Sequence, residues 1–101
     1  MSSIDNPVVG DSIALSFSTT PKQDLTDWTC RVQVREVDSS SVALDFNITD
    51  LSPDSKEFIG GFRTNLMAAG KYYIVAKLGN ETTNQYKEIQ LTMNLGRSLF
   101  V

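Results

Sequence analysis

Asp24-Leu25-Thr26-Asp27-Trp28-Thr29-Cys30-Arg31-Val32-Gln33-Val34-Arg35 decides the fold class. On an extended strand, Trp28, Cys30, Val32 and Val34 point one way while Thr29, Arg31, Gln33 and Arg35 point the other, because strand side chains alternate with period two. A strand with one dry and one wet face belongs to an antiparallel sheet whose apolar side packs against a second layer. Trp28, at the entrance of this strand, is the expected anchor of the core.

The same alternation recurs on both sides. Segment 12–19 places Ile13, Leu15 and Phe17 inward and serines outward, after a Gly10-Asp11 opening. Pro21 marks 20–24 as a loop, since it cannot feed a sheet ladder. Segment 41–49 alternates Val42, Leu44, Phe46 and Ile48 against Ala43, Asp45 and Asn47, beyond the polar hairpin Asp38-Ser39-Ser40. Segment 57–63 reads as a strand carrying Phe58 or Ile59 and Phe62, and its Gly60-Gly61 pair signals a bulge or a close backbone approach. Thr64 as N-cap and Gly70 as stop predict one short helical turn near 64–69. Segments 72–78 and 86–94 complete the set, with Tyr72 as a corner residue and Ile89, Leu91 and Met93 facing inward. About seven short strands with polar turns predict an all-β fold, an immunoglobulin-like antiparallel β-sandwich. The expected organisation is an N-terminal arm over 1–9, a sandwich over 10–95 and a C-terminal arm over 96–101.

Composition limits the functions available. The 101 residues make one domain, with 41% hydrophobic and 21% charged residues as in ordinary folded proteins. The net charge of −3 argues against nucleic acid as a partner, because phosphate binding needs a clustered positive surface. Arg31 and Arg35 share the wet face of their strand and read as solvated surface, with an anionic partner as the alternative. No apolar run is long enough to cross a bilayer as a helix, and the opening residues lack the pattern of a signal peptide, so the expectation is a protein made in a cytosol, with no membrane partner.

Residue types restrict the chemistry further. There is no histidine, so a Ser-His-Asp triad, a Cys-His pair and a histidine-ligated metal are excluded. Cys30 is the single cysteine and falls on an apolar face, where a thiol acts as a small hydrophobe. Asp50-x-Ser52-x-Asp54 opens like a calcium loop but continues with Ser55 where glycine is required and Gly61 where a bidentate glutamate is required. Asn47-Ile48-Thr49 and Asn80-Glu81-Thr82 match the glycosylation triplet and are read as chance matches. The expectation is therefore no catalytic residue, no metal and no cofactor. Tyr73 and Tyr86 are candidate glycan contacts, since aromatic faces stack on saccharide rings. At the ends, Val8, Val9, Arg97, Leu99, Phe100 and Val101 are the candidate interaction residues. Either the apolar tail folds back onto its own sandwich as a further strand, or one or both arms dock on a neighbouring subunit by strand addition or groove filling.

Three stretches carry a family resemblance: Gly10-Asp11 with the Ile13-Leu15-Phe17 strand, Asp24-Leu25-Thr26-Asp27-Trp28-x-Cys30-Arg31-x-Gln33-x-Arg35, and Leu66-x-x-x-Gly70-Lys71-Tyr72-Tyr73. In this order they resemble small β-sandwich modules of tailed-phage virions, and the N-terminal module of phage baseplate upper proteins in particular. The resemblance runs from Gly10 to about Met93. It implies a non-enzymatic structural protein of the virion, in head decoration, at the head–tail junction or in the tail or baseplate. Its implied partners are other virion structural proteins, in a homo-oligomer or multi-copy assembly. A carbohydrate or cell-surface adhesion module is the alternative.

Overall fold

The computed structural model describes residues 2–4 and 7–99, with the backbone alone for the first three. The strands are β1 (Ser2–Ile4), β2 (Ser12–Phe17), β3 (Thr29–Glu36), β4 (Val42–Ile48), β5 (Phe58–Arg63), β6 (Gly70–Asn80) and β7 (Gln85–Leu95). The fold is all-β, with six strands in two antiparallel sheets. One sheet has the order β7-β6-β3-β4, and β1 is added beside β7 in parallel; the other consists of β2 and β5. Phe100 and Val101 lie outside the described residues.

The dry face read from the sequence is the core. Trp28, Cys30, Val32 and Val34 are buried against Ile13, Leu15 and Phe17 of β2, Phe58 of β5 and the inward row Tyr72, Ile74, Ala76 and Leu78 of β6. Leu25, with no exposed surface, is an unforeseen core residue from the connection into β3. Its burial is stabilising by about 2 kcal/mol. The turn that drives it inward is local: the Asp24 carboxylate accepts hydrogen bonds from the Thr26 backbone N–H, at 2.8 Å, and from the Thr26 hydroxyl. The Leu25 N–H then donates to Ser55 O at 2.7 Å, and Trp28 N–H donates to Leu25 O at 3.0 Å.

The expected helical turn near 64–69 is absent, and the described residues contain no helix. Met67 N–H donates to Thr64 O at 3.0 Å, closing a single β-turn. The Thr64 hydroxyl, expected to cap a helix, is instead engaged by the N-terminal segment. It accepts from Gly10 N–H at 2.9 Å and lies 2.9 Å from Asp11 O and 3.3 Å from Val8 O. The hydroxyl is thus committed to backbone more than fifty residues away rather than to its own turn.

Of the two readings offered for Gly60-Gly61, the close approach holds and the bulge does not. The β2–β5 register is continuous from Ser12↔Arg63 to Phe17↔Phe58. A Cβ on Gly61 would stand 2.2 Å from the backbone oxygen of Ile13, whereas one on Gly60 would meet the movable Ile48 side chain at 2.9 Å. Gly61→Ala is therefore expected to lower stability in urea unfolding by more than about 3 kcal/mol and Gly60→Ala by about 1 kcal/mol. Equal effects at the two positions would contradict this packing.

Candidate functional site

Three surfaces carry the candidate residues. The first is the end of the sandwich where the N-terminal segment meets the exit of β7. Val9 N–H donates to Gly96 O at 2.9 Å and Gly96 N–H donates to Pro7 O at 2.9 Å, making a parallel bridge between Val8 and Gly96. Val8 N–H donates to the Asp11 carboxylate at 3.0 Å. Together with the Thr64 hydroxyl, these bonds seat residues 7–11 on their own chain. Val9 packs against the core, while Val8 is partly exposed. Beyond the bridge Arg97 is exposed and Leu99 retains 85% of its surface. Leu66, in the turn that follows Thr64, retains 92%. This end thus presents Val8, Leu66 and Leu99 to solvent.

The second surface is the wet face of the larger sheet, where β3 is flanked by β4 and β6. Arg31 donates to both oxygens of Asp45, at 2.9 and 2.6 Å, and Gln33 adds a third bond to the same carboxylate at 3.1 Å. Arg35 donates to Gln33 Oε1 at 2.9 and 3.1 Å and to Ser40 O at 3.1 Å. The arginines read as solvated sheet surface lie on the exposed face and are joined in one network. The hydrogen bonds from Arg31 and Gln33, aided by the charges of Arg31 and Arg35, hold the Asp45 carboxyl at about 2. Hydrogen bonds likewise lower Asp24 through Thr26, Asp54 through Ser52 and Glu57 through Lys22.

Tyr73 and Tyr86 both lie on this wet face. Tyr73 stands opposite Thr92, and Tyr86 stands opposite Gly79. Six residues of β7 separate the two positions, about 20 Å at the rise of a strand, so the tyrosines cannot share one sugar ring. The Tyr86 ring lies over Gly79, where it occupies space a Cβ would need.

The third surface is a cleft of about 450 Å³ at the opposite end of β3, floored by Trp28, Cys30, Ile48, Leu51 and Phe58. Cys30 and Arg31 are the ionisable groups among its lining residues, and Arg31 is tied to Asp45. Burial pushes the Cys30 thiol up to about 11, which removes the thiolate at neutral pH. The Asp50-x-Ser52-x-Asp54 stretch is a turn held by its own side chains: Ser52 Oγ donates to Asp54 at 2.6 Å, and Lys56 N–H donates to the same carboxylate at 3.2 Å. Asn80 is buried, and its side-chain oxygen accepts from Thr82 and Thr83 N–H, so its amide closes the β6–β7 hairpin.

Sequence reasoning missed the anchoring role of Thr64, the burial of Leu25 and the Asp45 pairing. An acid on the wet face of β4, next to a strand carrying two arginines, is a legible signal for the last of these. Thr64 depends on contacts distant in sequence, and Leu25 on a local turn closed by Asp24 and Thr26 together with a distant bond to Ser55. No protein-family model matches the chain, and no curated protein matches it.

Two measurements check this chemistry. The Asp45 carboxyl is lower in the folded state than its ordinary value of about 3.9, so its contribution is full above that value and is lost as pH falls through about 2. Asp45→Asn should therefore flatten the acid side of the stability–pH curve between these values, and salt should narrow its difference from the wild type. Unchanged acid sensitivity would refute the pairing. Cys30 should resist a thiol reagent at pH about 8 in the native protein and react within minutes in denaturing urea; rapid native labelling would show the thiol to be accessible.

Proposed function

We propose that this chain is a non-enzymatic structural subunit of a tailed-phage virion, an immunoglobulin-like module that binds neighbouring virion proteins. Its place is in head decoration, at the head–tail junction or in the tail or baseplate, and it acts in several copies. The observation that carries the protein-binding role is the exposed apolar end. Val8, Leu66 and Leu99 are exposed at one end of a sandwich whose N-terminal segment is fastened by backbone bonds. Large exposed apolar side chains beside a fastened segment suit a protein partner, where their burial drives association.

The immunoglobulin-like reading is supported by strand order and by two marker residues. The order β7-β6-β3-β4 facing a β2–β5 pair corresponds to the G-F-C-C′ and B-E strands of that fold. Trp28 enters the third strand from the core. The Tyr72 hydroxyl donates to Ala68 O at 2.6 Å, the backward bond of a tyrosine corner. The stretches that carry the resemblance to virion modules fall on the joints of this frame: Gly10-Asp11 at the Thr64 anchor, Asp24 to Trp28 in the turn before β3, and Gly70 to Tyr73 at the corner.

Mass spectrometry of purified particles tests the proposal, with the chain expected among the stoichiometric components of mature virions. Leu66→Asp together with Leu99→Asp should leave the thermal melt unchanged and reduce incorporation at least about tenfold. Absence from mature particles would sink the virion role, and full incorporation of the double variant would sink the role of this end.

A further inference from the structure

We propose that the wet face of the larger sheet carries a binding site for a neutral saccharide, a depression of about 400 Å³ lined by Gln33, Arg35, Tyr73, Val75, Glu88 and Gln90. This site is separate from the apolar end and stands whether or not the chain is a virion subunit. Its origin is a register position. Val75 lies between Gln33 of β3 and Gln90 of β7, with the Arg35–Tyr73 pair one step along the same face. A short valine among long neighbours leaves a dip whose volume falls within the roughly 300–1,000 Å³ of small-molecule sites.

The polar groups around the dip favour an uncharged ligand. Arg35 is held by Gln33 and the Ser40 carbonyl, and Glu88 is held by the Gln90 amide at 2.8 Å. One guanidinium and one carboxylate face the same space, so either sign of ligand charge gains one contact and suffers the other. Hydroxyl groups suit both, because each donates one hydrogen bond and accepts others. The Gln90 amide retains a second N–H and its carbonyl oxygen, Glu88 retains a second oxygen, and the Tyr73 hydroxyl both donates and accepts. The Gln33–Arg35 bonds fix their side chains beforehand, which lowers the ordering cost of binding.

Tyr73 supplies the apolar element. It is 36% exposed, enough to offer a ring wall to the depression it lines. An aromatic wall beside convergent amides and a balanced charge pair matches a pyranose, which has an apolar C–H face and a hydroxyl rim. A single ring fits one such wall, and Tyr86, about 20 Å away along β7, takes no part in its recognition.

The test is an array of immobilised neutral and acidic glycans, followed by amide-shift NMR titration with the neutral glycan that scores highest. Saturable binding with shifts confined to the six lining residues and their strand neighbours is expected. Tyr73→Ala and Gln90→Ala should each weaken it about tenfold, while Tyr86→Ala leaves it unchanged; thermal melts of the variants establish folding. The site is refuted if no neutral glycan binds, if only acidic glycans bind, or if folded Tyr73→Ala and Gln90→Ala variants bind as the wild type does. Shifts in these residues that are produced by a protein segment and by no glycan would equally overturn it.

Discussion

The inward face of a sheet built on β7, β6, β3 and β4 is covered by only two strands, and this mismatch shapes the rest of the molecule. Ile13, Leu15, Phe17 and Phe58 reach the middle of that face. The remainder is covered from the connections: Leu25 and Trp28 before β3, Met67 in the turn before β6, and Val9 beside the exit of β7. Loop residues can serve as core only if their backbone is held, since free loops lose conformational entropy on ordering. With a single cysteine, no internal disulfide can hold them. Hydrogen bonds do so instead: Leu25 to Ser55, and the Thr64 hydroxyl to the backbone of residues 8–11.

Alternation made the strands legible because it is local: a period of two in β2, β3, β6 and β7 needs no knowledge of neighbours. What escaped was long-range. The Thr64 side chain could cap a helix by its own sequence, and only the proximity of Gly10 and Asp11 decides otherwise. Leu25 stands in a segment read as entry into the strand, yet its N–H pairs with the distant Ser55 carbonyl and its side chain enters the core. A register shift explains a smaller departure. Val42 has inward parity by simple alternation but remains 45% exposed, because the β3–β4 register shifts between Val34 and Arg35 and pairs Val42 with Arg35 of the wet face. Parity placed Tyr73 and Tyr86 on one face, but register was required to see that they sit at opposite ends of it.

The wet face shows why charge count alone misleads about function. The two arginines of β3 are the obvious candidates for an anionic partner, yet Arg31 is neutralised by Asp45 and Arg35 is held by Gln33 and Ser40. Side chains with 63% and 34% exposure at the Arg31–Asp45 pair keep much of their hydration, so the pair organises the face more than it stabilises the fold. Locked charges leave shape and neutral hydrogen-bonding groups as the remaining basis for recognition there.

The two edges of the larger sheet are treated differently, and the difference gives the molecule a direction. The β7 edge is covered by β1 and by the Val8–Gly96 bridge. Among the described residues β4 pairs with β3 alone; Val42–Ile48 contains neither lysine nor proline, and Asp45 and the register shift beside Val34 are the features there that oppose edge pairing. On the smaller sheet, the Leu51–Phe58 bridge and the bond from Ile59 N–H to Asp50 O cover only the start of β5. One side of the sandwich is therefore fastened by its own chain, whereas the other offers unpaired backbone beside Phe46 and Phe62, whose rings pack at 6.0 Å.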